Sequence, residues 1–170
     1  MPRDQSFERE PLPAVGADAA DAPRRQPLRA TARERAAGAV VALGALAVLV
    51  VAAWLRPDPS GHGTHEQLGM LPCTWAAVLD KPCPTCGMTT SFAYAAHGDL
   101  LGAVAAQPFG ALLALMTAAA FWGGLHVAAT GSMLGRLAGR LFTARAMWLA
   151  GGLALAAWAY KIATWPGVGG

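Results

Sequence analysis

The sequence predicts an all-α integral membrane protein with three transmembrane helices, plus short interfacial helices that carry a cysteine motif. Three observations point there. Of its 170 residues 55% are hydrophobic and only 14% charged, with a mean hydropathy of +0.38, which disfavours a disordered chain or an ordinary soluble surface. Three apolar runs are each long enough to cross a bilayer. Arginines cluster beside those runs, where they read as topology signals rather than as a phosphate-binding stripe. The expected partner is therefore the lipid bilayer and not nucleic acid, despite a net charge of +3.

Residues 1–35 hold five prolines and seven arginines with little apolar periodicity. Such a stretch cannot bury enough surface to offset its ordering entropy, so it reads as a disordered basic cytosolic tail. Residues 36–170 form the membrane domain. Its first crossing covers residues 36–55, twenty uncharged residues that span roughly 30 Å as a helix, the thickness of a bilayer core. The leading segment is much longer than that of a cleaved signal peptide, so the run reads as a retained anchor.

Residues 56–108 are expected to form a loop outside the membrane. Pro57, Pro59, Gly61 and Gly63, with His62 and His65, mark its first part as irregular and polar. From Leu100 to Gly135 no residue carries a formal charge, and as one helix this run would be about 54 Å long, far more than one crossing needs. Gln107-Pro108 is the natural break, because proline lacks an N–H and disfavours helix in the residue before it. An interfacial helix is placed before it and the second crossing at residues 109–129. The third covers residues 146–165, with Lys161 near its end expected to lift its ammonium to the headgroups.

Arg24, Arg25, Arg29, Arg33 and Arg35 precede the first crossing, and Arg136, Arg140 and Arg145 lie between the second and third. The positive-inside rule then puts the N-terminus in the cytoplasm of a cell with a plasma (inner) membrane, and the cysteine loop outside. Trp54, Trp148, Trp158, Tyr160 and Trp165 lie near run ends, as an aromatic belt requires. Alanine supplies 39 residues, and small residues let helix backbones approach closely in lipid. Packing between the crossings, or with a membrane-protein partner or a second copy, is compatible with that composition.

The chemistry concentrates in the run from Cys73 through Cys83, Pro84, Thr85 and Cys86 to Gly87, Met88, Thr89, Thr90 and Ser91. A C-x-x-C pair places two thiols near enough on a turn to bind one metal or to close a small disulfide, and Pro84 stiffens that turn. The following TTSFAYAAHG reads as a short helix, with the hydroxyls of residues 89–91 available to cap its start and Gly98 to end it. Cys86 then lies near a helix N-terminus, whose positive potential favours thiolate, so Cys86 or Cys83 is expected to be reactive.

Three readings follow. The leading one is a non-enzymatic membrane protein whose cysteine segment is structural, as a disulfide or buried thiols, or docks a partner. A second is thiol–disulfide exchange by Cys83 and Cys86 with Cys73 as resolving or structural partner; no acid–base residue is evident nearby in the sequence. A third is a Cys3His zinc site from Cys73, Cys83, Cys86 and His65, with His62 an alternative; otherwise no cofactor is expected. Asp99 reads as a cap of the helix that follows it, and His97 as its neighbour rather than half of a proton-transfer couple. His126 reads as a polar ring near the inner end of the second crossing.

The segment resembles domain of unknown function family 2752, uncharacterised bacterial membrane proteins. That family has a cysteine, about ten residues, then C-P-x-C-G-[LM]-T, a short helix, G-D, an N-P pair opening an apolar helix, and a late W-x-Y-[RK]. Here Cys73, Cys83, Pro84, Cys86, Gly87, Met88 and Thr89 match, then Gly98, Asp99 and Pro108, and finally Trp158, Tyr160 and Lys161. Thr90 stands where many relatives have arginine and Gln107 where they have asparagine, so a role resting on that arginine does not carry over. The resemblance implies an integral membrane protein with a cysteine motif near the interface and no established activity.

Overall fold

The computed structural model describes residues 30–139 and 143–165, and among these every regular element is helical. Helix α1 (Ala32–Trp54), α5 (Pro108–Thr130) and α7 (Ala144–Ala163) are each long and apolar enough to cross a membrane. Between α1 and α5 lie a 3-10 turn (Thr64–Leu68), α2 (Thr74–Leu79), α3 (Met88–Ala96) and α4 (Leu100–Ala106), and α6 (Leu134–Gly139) joins α5 to α7. The chain is thus an all-α membrane protein. The tail reading of residues 1–29 lies outside the described residues.

Helix α1 starts four residues before the expected crossing. Thr31 caps it: its Oγ1 accepts from the Glu34 amide at 3.3 Å while the Glu34 carboxylate accepts from the Thr31 amide at 2.7 Å. That reciprocal box satisfies two otherwise orphaned donors, so residues 32–35, assigned to the tail by sequence, are the first turn of a helix. Helix α5 opens as expected, with Pro108 in its first turn and the Gln107 side chain accepting from the Phe109 and Gly110 amides at 2.7 and 3.1 Å. Asp99 caps α4, accepting from the Gly102 amide at 2.7 Å. His97 Nδ1 donates to the Ala93 carbonyl at 2.8 Å, a backbone contact within α3 in place of the Asp99 couple. His126 is exposed at the far end of α5.

Helices α1 and α5 pack antiparallel as the centre of the fold. The seam is built of small residues, with Ala42, Ala45, Gly124 and Val127 buried. A Cβ added to Gly124 would lie 2.6 Å from the Gly38 carbonyl oxygen and 3.0 Å from the Ala42 nitrogen. The backbones therefore meet at Gly38 and Gly124 with no room for a methyl group, the close approach that gains dispersion contacts where lipid supplies no hydrophobic drive. One end of this pair is clasped by polar groups. The Ala30 amide donates to the Gly131 carbonyl at 2.8 Å, and Arg35 Nε to the Ala128 carbonyl at 2.9 Å. Arg136 pairs with Glu34 through Nε and Nη2 at 2.7 and 3.0 Å. Arg35 and Arg136, one from each basic cluster, thus sit at the same end, as the two crossings between the clusters require.

At the opposite end, α3, α4 and the 56–72 loop gather over α1 and α5. Helix α7 touches α5 along a short stretch only. Between them runs an apolar groove of about 260 Å³ lined by Pro108, Phe109, Leu112, Leu153, Ala157 and Tyr160 among others.

Candidate functional site

The polar core of the molecule lies under the cysteine segment. The loop 56–72 is ordered by its own side chains: Gln67 exchanges two hydrogen bonds with the Arg56 backbone at 3.1 and 2.7 Å, and Asp58 accepts from the Ser60 amide and hydroxyl at 2.8 and 2.6 Å. The Ser60 hydroxyl holds the Asp58 carboxyl below its ordinary range, against burial. Thr64 Oγ1 accepts from the Asp58 amide and is hydrogen-bonded to Thr90 Oγ1 at 2.8 Å, both hydroxyls being buried. The stretch read as an irregular loop is therefore pinned to α3.

The hydroxyls expected to cap α3 are used otherwise. Gly87 stands at the cap position without a side-chain bond. Thr90 reaches the loop, and the Ser91 hydroxyl, fully buried, donates toward the Ala103 and Gln107 carbonyls at 2.8 and 3.1 Å, tying α3 to the end of α4. Thr89 is half-buried in the first turn, and Gly98 follows α3 with the positive φ of a helix stop. Thr64, Thr90 and Ser91 were not singled out as site residues, since a hydroxyl committed to a distant partner leaves no local pattern. Replacing Thr64 by Val leaves the buried Thr90 hydroxyl and the Asp58 amide without their partner and is expected to cost about 1–3 kcal/mol, whereas Thr64→Val with Thr90→Val leaves only the Asp58 amide so and costs less. Thermal unfolding of the two variants in detergent measures the difference.

Cys83, Pro84, Thr85 and Cys86 form a turn closed by the Cys86 amide donating to the Cys83 carbonyl at 3.0 Å. Such a turn holds the first and fourth Cα atoms within about 7 Å, in the upper range a disulfide spans. All three cysteines are free thiols here. Cys83 is half-buried and Cys86 is 7% exposed beneath it. Cys73, half-buried at the start of α2, lies near enough to help lower the Cys83 thiol, as does Cys86. Cys83 Sγ is also hydrogen-bonded to Thr85 Oγ1 at 3.4 Å.

These surroundings split the two thiols of the motif. Burial raises the Cys83 thiol, but hydrogen bonds from the Thr85 side chain and backbone and from the other cysteines outweigh it and bring Cys83 below its ordinary value. Burial pushes Cys86 up to about 11, helped by the charge of Cys83. Of the two thiols, either of which was expected to be activated by the start of α3, Cys86 is the one held protonated at neutral pH, because desolvation outweighs whatever that helix end supplies.

Gly87 follows because of what surrounds it. Its φ is +83°, and a Cβ there would lie 2.6 Å from the Gly61 carbonyl oxygen and 2.8 Å from that of Ala106. Loop 56–72 and the end of α4 thus close on the backbone of the motif itself.

The end of α7 closes the site from the third side. Trp158 Nε1 donates to the Pro82 carbonyl at 3.0 Å, and the Tyr160 hydroxyl reaches the Ala105 carbonyl at 3.4 Å. Lys161 does not snorkel. It is 4% exposed, and its Nζ donates to the Gly61 carbonyl at 3.0 Å. Trp165 packs beside it, its ring 5.9 Å from Nζ and 4.6 Å from the His62 ring. His62 Nδ1 donates to the Ser60 carbonyl at 3.1 Å, and His65 is half-buried in the 3-10 turn. Among the described residues no group of three or more His, Cys, Asp or Glu side chains is arranged to hold a metal ion, the set Cys73, Cys83, Cys86 and His65 included. Pro84 is exposed on the turn.

Residues 73–121 match the family model described as a protein of unknown function (DUF2752). The resemblance to that family therefore holds over this stretch, while Trp158, Tyr160 and Lys161 lie beyond it. No curated protein and no solved structure matches the chain.

Proposed function

We propose that this membrane protein carries out thiol–disulfide exchange, with Cys83 as the attacking thiol and Cys86 as the resolving one. The observation that carries the reading is the unequal burial of two thiols on one closed turn: Cys83 within reach of a substrate, Cys86 beneath it. A dithiol built for exchange needs one sulfur that a foreign disulfide can meet and a second that only the first can meet. The two basic clusters support a placement on the outer face of a bacterial inner membrane, where disulfides persist.

In the forward direction the Cys83 thiolate attacks one sulfur of a substrate disulfide. The substrate S–S bond breaks, a mixed disulfide forms, and the departing substrate sulfur takes up a proton from water. Cys86 then gives its proton to water and attacks Cys83 Sγ, releasing the second substrate sulfur, which is protonated in turn. The substrate gains two electrons, and Cys83 and Cys86 are left as a disulfide until another dithiol reduces them.

A second reading, a cysteine segment that docks a partner, is favoured by an apolar face beside Cys73, where Leu71 and Val78 are 86% and 73% exposed and Trp75 and Leu79 are exposed too. One experiment separates the two. Reduced, detergent-solubilised protein is mixed with a disulfide-bonded peptide and thiol release is followed. Exchange predicts a fall of at least a hundredfold in Cys83→Ser and accumulation of a mixed disulfide at Cys83 in Cys86→Ser. Release that is absent in the intact protein, or unchanged in Cys83→Ser, overturns the exchange reading and leaves docking.

A further inference from the structure

Lys161 is the buried charge that the exchange chemistry above leaves without a task. We infer that Lys161 is a positioning residue for the resolving thiol, its ammonium standing as the counter-charge of the Cys86 thiolate. The inference deepens the exchange reading and depends on it for its purpose, though not for its test.

Four side-chain carbons would let Lys161, in the last turn of a crossing helix, reach the headgroup region. Instead it turns inward. Its Nζ occupies the gap that Gly61 and Gly87 leave open: a Cβ on Gly61 would lie 3.2 Å from Nζ and one on Gly87 3.4 Å. Gly87 is the residue after Cys86, so the ammonium rests against the backbone of the motif. An ammonium has three donors, and the Gly61 carbonyl takes one of them. A buried ammonium lowers the cost of an anion formed beside it. Asp58, on the loop that supplies Gly61, is engaged by Ser60, and His62 donates to a backbone carbonyl. The ionisable side chain next along the backbone that the ammonium rests against is that of Cys86, the residue before Gly87.

Seen from Cys86, the arrangement is the same. Cys83 and Cys73, on its own segment, disfavour its thiolate, while Lys161, reaching in from α7, favours it. In the resolving step Cys86 must become a thiolate inside a desolvated site before it can attack Cys83 Sγ. The ammonium stabilises that anion, takes no proton from it and gives none to the substrate. The late tryptophan-x-tyrosine-lysine pattern then has a physical purpose: Trp158 fixes α7 to Pro82 and places Lys161 three residues on, under the turn.

The test reads Cys86 alone. In a Cys73→Ser, Cys83→Ser background the rate of alkylation by iodoacetamide between pH 7 and 10 follows the thiolate fraction of Cys86. Lys161→Gln, which keeps a donor for Gly61 and removes the charge, is expected to slow it about tenfold, equivalent to a rise of one pKa unit. Lys161→Arg is expected to stay within threefold of the parent. An unchanged rate in Lys161→Gln overturns the inference, and so does an equal slowing in both variants, which would assign Lys161 to packing. If Lys161→Gln shows no unfolding transition in detergent, Lys161→Arg decides alone: a rate near the parent supports the inference and a tenfold fall overturns it. Because alkylation requires no exchange, an intact Lys161 effect in a protein that fails the peptide assay refutes the exchange reading only.

Discussion

Gly124→Ala will separate α1 from α5. The added methyl would stand 2.6 Å from the Gly38 carbonyl oxygen and 3.0 Å from the Ala42 nitrogen, both backbone atoms of the facing helix. Neither can rotate away, so the helices must part along the whole seam, losing contacts on both sides of the new methyl. The Arg35 and Ala30 bonds to the end of α5 are strained by the same shift. The expected result is the loss of a cooperative unfolding transition in detergent, or a destabilisation above about 3 kcal/mol, beyond the usual range for overpacking. Gly123→Ala is the internal control. Its methyl would meet Leu134 at 3.9 Å, an ordinary contact, and alanine gains about 1 kcal/mol over glycine within a helix. Gly123→Ala should therefore match or exceed the parent in thermal stability.

Gly87→Ala is the second large effect. Two costs add there. A left-handed backbone costs an L-residue roughly 1–2 kcal/mol, and the methyl would stand 2.6 and 2.8 Å from two carbonyl oxygens, those of Gly61 and Ala106. Those oxygens belong to the loop and to α4, so both must retreat, and the Gly61 carbonyl takes with it the acceptor of Lys161. The expected outcome is a site opened around Cys86 in a protein whose α1–α5 seam is intact. Alkylation of Cys86 should rise at least tenfold at pH 8 while a folded core still melts cooperatively. Cys86 protection equal to the parent would show that the close approach at Gly87 does not hold the site shut.

The membrane helices were legible because their signal is local. Twenty uncharged residues in a row specify a crossing whatever they pack against, and Gln107-Pro108 ends a helix by its own covalent geometry. Asp99 was legible for the same reason, the amide that donates to it lying three residues away. The short α2, α6 and the 3-10 turn have five or six residues each, too few to show a period. Lys161 was misread because its position near a helix end is what snorkelling and burial share; the deciding partner, Gly61, is a hundred residues earlier. The cysteines were located by sequence but not ranked. The helix whose start was expected to activate Cys86 or Cys83 is present, and burial, a tertiary property, decides between them.

The account stands or falls on whether Cys83 and Cys86 behave as one two-electron couple. Membranes carrying the protein are equilibrated in thiol–disulfide buffers over a range of potentials, quenched with acid, and labelled before and after reduction with two different alkylating masses. The account predicts that Cys83 and Cys86 change label together at a single midpoint, while Cys73→Ser leaves that transition in place. Independent labelling of the two sulfurs, or reduced thiols at every potential, would contradict it.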